Sequence, residues 1–496
     1  MNHAALFALT GIMMAFALAG CDGGQDDGPL DVAVIGSSET LFAEVDPLPT
    51  GARHVRGATT AGLVALDAQG QIVPAIAERW IVTDDAMSYI FRLRDSAWPD
   101  GEAITADEVE ASLKDTFRSL EGTALGLDLS KIVEIRAMTG RVVEIQLSSP
   151  MPEFLRLLAQ PELGITRRVD GMSAGPMVAE TQGGGASIRL DMPPAPENGA
   201  RVRPFDTARN ARPITVRAYS SRDAIDSFAN GQVDVVFGGR YENLAMVELG
   251  PLSRGAIRVD PAIGLFGLVV GRETDFLSQP ELREALSMAI DREALIEPFG
   301  LDGWQPTTWI VPQTLFTPLQ YPDTRWSDLS IEQRRARARA RVAAWQSRSG
   351  TQPRVSIHLP PDPGSDVLFD QIASAWDAIG VEAVLAETRE ESEMWLMDEV
   401  ARYSSPRWFL NRFACSVTMG PCSPTADALI AESLGQQNPS DKQSLLADAH
   451  IELIEQEVFI PFGAPIRWSL VRGAVEGYEA NPWSLHPLFP LSQRPN

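Results

Sequence analysis

The chain carries three cysteines and one isolated arginine position whose surroundings suggest chemistry. Cys21 closes a short apolar run, Ala4 to Ala19, through Gly20. Cys415 and Cys422 stand in a Gly- and Pro-bearing loop with six residues between them. Outside the cytoplasm such a pair can form a disulfide; otherwise the two remain free, buried thiols. Zinc is not expected there, because a structural site needs four ligands and no histidine is near in sequence. Arg402 lies in the stretch Ala401-Arg402-Tyr403-Ser404-Ser405-Pro406-Arg407-Trp408-Phe409-Leu410-Asn411. A guanidinium is shaped to grip a carboxylate or phosphate through two parallel bonds. Trp408 in the same stretch either stacks on a ligand or belongs to the core.

Other chemistries leave no trace. The chain has no Gly-x-Ser-x-Gly, no His-Glu-x-x-His and no Gly-x-x-x-x-Gly-Lys, so no catalytic residue is assigned and an enzyme is not expected. The five histidines lack metal-ligand spacing, and no metal or cofactor is expected. A formal net charge of −24 over 496 residues repels phosphates, which argues against nucleic acid as a partner. The basic run Arg334 to Arg341 reads as one face of a helix beside small residues.

These positions need a scaffold, and the length is too great for one ordinary core. Asp31–Ile35, Tyr89–Arg94, Gly140–Leu147 and Pro213–Tyr219 read as strands, by apolar runs or alternation. A helix from about Arg222 to Asn230, stopped by Gly231, leads to a strand at Val233–Phe237, the unit of a parallel sheet. Thr105-Ala106-Asp107-Glu108 and Ser278-Gln279-Pro280-Glu281 are capping boxes by pattern. The second half alternates in the same way. Val355–Leu359 reads as a strand, Asp366–Ala378 as a helix closed by Gly380, and Val381–Leu385 as the next strand. A long helix Ser440–Glu457 and strand residues Phe459–Phe462 follow. Pro193 to Pro213 reads as a loop. The expected class is α/β.

The first residues resemble a lipoprotein leader. The apolar run is shorter than the roughly 20 residues that span a bilayer, and Leu18-Ala19-Gly20-Cys21 is similar to a lipobox, although Met1-Asn2-His3 brings no Lys or Arg. The resemblance implies a signal peptide over 1–20, cleavage before Cys21 and acylation of its sulfur, with 21–30 as a flexible tether. The other reading is a short hydrophobic N-terminal helix. Asp22 after the cysteine slightly favours retention at the inner membrane.

A longer resemblance covers most of the remaining chain. Gly62-Leu63 is followed by Asp67, Gly70, Pro74, Ala77 and Trp80, then by Tyr89, Phe91, Leu93-Arg94, Asp100-Gly101, Thr105-Ala106 and Val109. Later come Leu282-Arg283, Ala285-Leu286 and Ala289-Ile290-Asp291-Arg292, with smaller echoes at Ala174-Gly175-Pro176 and Asn230-Gly231-Gln232-Val233-Asp234. In order and spacing these residues resemble the family 5 solute-binding proteins, whose importers take up peptides and nickel; Ile76 and Glu108 depart from the pattern. The resemblance implies a two-lobed, periplasmic-binding-protein type II-like fold with an extra α/β domain inserted in the first lobe. Lobe I would take 31–45, 174–260 and 475–496, the extra domain 46–173 and lobe II 261–474. It further implies a substrate-binding lipoprotein on the periplasmic side of the envelope, which captures peptides or related small solutes by lobe closure and delivers them to the permease and ATPase subunits of an ABC transporter. A sensor or chaperone-like binder on the same fold is the other reading.

The stretch 401–411 resembles the peptide-binding pattern Ala-Asp-Tyr-x-x-Pro-x-x-Phe-Leu-Asn, with Arg402 where the pattern has the Asp that binds a ligand ammonium. That exchange reverses the charge. An ammonium about 4 Å from a guanidinium costs on the order of 4 kcal/mol at an effective dielectric of about 20. Arg402, Tyr403 and Trp408 are therefore the expected ligand contacts, with an anionic or neutral ligand group facing Arg402. Alternatively Arg402 pairs with a local acid and the site lies elsewhere.

Overall fold

The computed structural model describes residues 28–43, 47–193, 211–247, 254–301, 303–316, 325–326 and 328–494. Cys21 and most of the loop after Pro193 lie outside them.

Two large sheets dominate. The larger has seven strands, in spatial order 257–259, 467–471, 235–240, 30–35, 214–219, 187–191 and 178–182. The smaller has five, in the order 382–385, 354–358, 394–400, 264–270 and 459–463. Both contain strand–helix–strand units. In the larger sheet Leu30–Ile35 pairs in parallel with Ile214–Tyr219 and with Val235–Arg240, and helix Ser221–Ala229 joins the latter two. In the smaller sheet Arg354–His358 and Glu382–Leu385 pair in parallel across helix Pro363–Asp377. Gly231 and Gly380 sit at φ 78° and 87° just after these helices, a conformation that only glycine adopts without strain.

A separate four-stranded antiparallel sheet, in the order 77–82, 88–93, 142–147 and 132–138, is backed by helix Ala106–Ser119. Thr105 caps that helix as its pattern predicts: Thr105 N donates to Glu108 Oε2 at 2.9 Å, and Glu108 N to Thr105 Oγ1 at 3.3 Å. Tyr89, Phe91, Val109 and Leu113 fill the core between sheet and helix. The second predicted box does not form. Helix Pro280–Ala289 is capped at Gln279, while Ser278 Oγ donates to Asp275 O instead. Pro280 is pre-set for the first helical position, so the helix begins there and Ser278 falls one residue outside capping reach.

The chain crosses between the two large sheets twice, from Val259 to Gly264 and from Gly463 to Arg467. The second crossing corrects one expected boundary. Arg467–Val471 is expected in the smaller sheet's half, yet it pairs antiparallel with Val235–Arg240 and with Ile257–Val259. Its five residues are all buried, so its apolar run marks a central strand without showing which sheet takes it.

The basic run lies on helix Ile331–Ser349, opened by Ser330 and closed by Gly350 at φ 68°. Its arginines are more engaged than a solvated face requires. Arg335 donates to Ala289 O and Arg339 to Ala378 O, both through Nε at 2.9 Å, and Arg341 pairs with Glu284. Three basic side chains thus bridge the helix to its neighbours. Among the described residues no helix is long and apolar enough to cross a membrane.

Candidate functional site

A cavity of about 390 Å³ opens between the two large sheets. One wall is made by residues 237–240 and 467–469 of the larger sheet, the other by 395–400 of the smaller sheet, and Thr50 and Arg53 at the start of helix Thr50–Thr59 close one side. A second cavity, about 810 Å³, lies beside 305–315 and draws its lining from residues 262–334 and 459–464. The first cavity is the one lined by both sheets, with Arg467, where the second crossing ends, in its wall; residues of both crossings, Ala262–Gly264 and Gly463–Ala464, line the second cavity.

Local sequence explains why side chains converge there. Strand Val235–Arg240 ends in Gly238-Gly239-Arg240. Its register against 467–471 shifts between Val236 and Gly239, and Gly238 has φ 89°. A Cβ on Gly239 would sit 2.2 Å from Trp468 Cδ2, so only glycine admits that indole. The resulting bulge places Arg240 in the cavity wall.

Charges dominate the lining. Arg467 Nη1 donates to Asp398 Oδ1 and Oδ2 at 2.7 and 2.8 Å, and Nη2 to Asp398 O at 2.9 Å. This pair ties the larger sheet to the smaller. Arg412 Nε donates to Glu399 Oε2 at 3.0 Å. Arg402 lines the cavity and is also paired: its Nη2 lies 3.4 Å from Glu162 Oε1, and Arg53 Nε approaches the same oxygen at 3.7 Å. Gln160 braces both arginines, accepting from Arg53 Nη2 at 3.2 Å and donating to Arg402 O at 3.3 Å. Burial pushes the Glu162 carboxyl up, but Arg53 and Arg402 together outweigh it and hold it below the ordinary carboxylate range. Each expectation for Arg402 has one structural counterpart. It faces the cavity, and it has a local acid.

Tyr403 and Trp408 do not reach the cavity, which corrects their expected role. Tyr403 is fully buried, and its hydroxyl donates to Asp128 Oδ1 at 2.9 Å. Asn411 Nδ2 donates to the same oxygen at 2.8 Å, and Arg407 Nη2 to Ser130 Oγ at 2.8 Å. Burial, then the Asp128 charge, pushes the Tyr403 hydroxyl well above its usual range. Trp408 is fully buried between Phe409 and the Arg412 guanidinium, which lies 4.4 Å from its ring centroid. The stretch 401–411 is thus a seam that fastens the four-stranded-sheet region to the smaller-sheet half, with Arg402 at its cavity-facing edge. Cys415 and Cys422, just beyond, are bonded to each other.

Glu162, Arg240, Arg389 and Asp398 are not singled out by sequence reasoning. Asp398 lies within strand Met394–Val400, Glu162 in the short turn Pro161–Leu163, Arg389 in the loop before that strand and Arg240 at a strand end, and none has a motif around it. The only local signal is the Gly238-Gly239-Arg240 strand end. Counted over the described lining residues, six arginines face three carboxylates, a formal surplus of three positive charges in a chain of net charge −24. Among the described residues no group of three or more His, Cys, Asp or Glu side chains is placed to hold a metal ion.

The family model described as bacterial extracellular solute-binding proteins, family 5 Middle, matches residues 71–187 and 205–420. The chain is 21% identical over 468 residues to the periplasmic oligopeptide-binding protein OppA of Salmonella typhimurium, covering 84% of this chain and 83% of that protein. It is 22% identical over 484 residues to the glutathione-binding protein GsiB of Shigella dysenteriae, covering 92% and 91%. Among solved structures, Haemophilus influenzae OppA in complex with the peptide RPPGFSPFR superposes with a TM-score of 0.80 at 16% identity, over 94% of this chain and 99% of that one.

Proposed function

The chain belongs to family 5 of the bacterial extracellular solute-binding proteins, and from that membership we propose that it captures a peptide or related small solute and hands it to the permease of an ABC importer. The observation that carries this reading is the cavity between the two sheets, lined from both halves. Its volume of about 390 Å³ falls at the small end of the range for small-molecule sites. Two chain crossings between the halves are the arrangement in which halves rotate about a hinge and close on a solute. The halves are lobe I, built on the larger sheet, and lobe II, built on the smaller, with the four-stranded sheet region as the inserted domain. No chemical step is assigned, and the protein acts by binding.

Lipidation at Cys21 would hold the protein at the envelope, on the periplasmic side and with the inner membrane slightly favoured. Several acyl chains, at about 0.8 kcal/mol per buried methylene, make a stable anchor.

Mass spectrometry of small molecules that co-purify with a soluble form starting near Asp31 tests the reading. One solute in stoichiometric amount supports it. Steady turnover of that solute by the purified protein would replace it with an enzyme.

A further inference from the structure

Three of the six arginines in the cavity lining have an acid of their own. Arg467 takes Asp398 with two bonds, Arg412 takes Glu399, and Arg402 takes Glu162, which Arg53 shares. Arg240 and Arg389 stand apart from this pairing. Arg240 is half-exposed and makes no hydrogen bond to an acid among the described residues: its Nη1 lies 3.7 Å from Asp398, a carboxylate that Arg467 already grips with two bonds, and the nearby Asp398 and Glu242 charges favour its cationic form. Arg389 is exposed, and its guanidinium lies 3.9 Å from the ring centroid of Trp395, another lining residue. Stacking of this kind fixes the guanidinium plane and leaves its N–H edge available for a planar anion.

The two arginines come from opposite walls. Arg240 ends the bulged strand of the larger sheet, and Arg389 precedes strand Met394–Val400 of the smaller. An anion lying between two guanidiniums on facing walls would be held by both.

We propose that the cleft takes a small organic anion with at least two acidic groups, one held by Arg240 and one by Arg389, in place of a zwitterionic peptide. This rests on the solute-binding reading above and names its ligand class. The charge preference shifts from Arg402, which shares Glu162 with Arg53, to these two residues. Closure of the two halves brings both arginines onto one ligand, so the ligand completes a charge bridge between the walls. The competing possibility is also visible: Glu162 Oε2 accepts no hydrogen bond among the described residues, and an ammonium group would satisfy it.

Three probes on one framework separate these outcomes: trialanine, N-acetyl-dialanine and N-succinyl-dialanine, carrying a zwitterion, one carboxylate and two. Each is titrated calorimetrically into protein stripped of bound solute by unfolding and refolding. The dicarboxylate is expected to bind tightest, to weaken about tenfold or more in Arg240→Gln and in Arg389→Gln, and to weaken as salt is raised. Trialanine binding as well as the dicarboxylate, or a dicarboxylate indifferent to both substitutions, overturns the charge class and leaves the solute-binding reading standing. Binding of none of the three counts against both.

Discussion

Arg402 and Glu162 meet at 3.4 Å on the wall of the cleft, one on the 401–411 seam and the other just after helix Phe154–Leu158. Glu162 is buried, and its charge is compensated from two sides, by Arg402 and Arg53. Arg402→Ala therefore leaves a buried carboxylate with one cation and should destabilise the fold by about 1–3 kcal/mol. The sign with pH follows from the depressed Glu162 carboxyl. Its stabilisation is present above the ordinary carboxylate range and is lost as pH falls through the folded value. Urea unfolding at pH 7 and pH 3 should show a larger loss of stability in the wild type than in the variant. Equal differences would mean that the pair carries no such linkage.

Lys131 offers a second pH test. It is 2% exposed, and its Nζ donates to Pro150 O at 3.0 Å, the carbonyl that Lys442 Nζ also approaches at 3.3 Å. Burial, then repulsion from Lys442 and Arg407, pulls the Lys131 ammonium down to about 6 from 10.5. Between those values the unfolded chain binds the extra proton, so this group makes stability rise with pH. Lys131→Met should stabilise by about 1–3 kcal/mol near pH 6 and flatten the rise between pH 6 and 9. A variant less stable than wild type at pH 6 would contradict the reading.

Cys415 and Cys422 close a short loop. In the chain-entropy account a loop of this size contributes about 2–3 kcal/mol. Exported protein should resist alkylation until reduced, and the double Cys→Ser variant should unfold at correspondingly lower denaturant. Two alkylated thiols in unreduced protein would rule the bond out in solution.

Cys21→Ala should appear in the soluble fraction, whereas the wild type stays with membranes through a high-salt wash. A variant that remains membrane-bound would show that Cys21 is not the anchor.

Much of the scaffold is legible in the sequence, because its signals are local. Alternation at 88–93 and 142–147, the Thr105–Glu108 box, and glycines at 231 and 380 each specify an element over a few residues. The placement of Arg467–Val471 is not legible, since a fully buried run reads the same in either sheet. Arg402 can be picked out because it breaks a motif, but its partner Glu162 lies 240 positions away in sequence. Arg240 and Arg389 meet one cavity only through the packing of two sheets, which no local pattern encodes. Tyr403 and Trp408 mislead for a related reason: a motif shared within a family can be kept for a buried seam as readily as for a ligand.

Hydrogen–deuterium exchange tests solute capture between the sheets most directly, with the co-purifying solute returned to stripped protein. Protection should rise together in 237–240 and 467–469, paired strands of the larger sheet, and in 394–402 of the smaller-sheet half across the cleft. Protection confined to 305–315, or none at saturating solute, would contradict binding between the two halves.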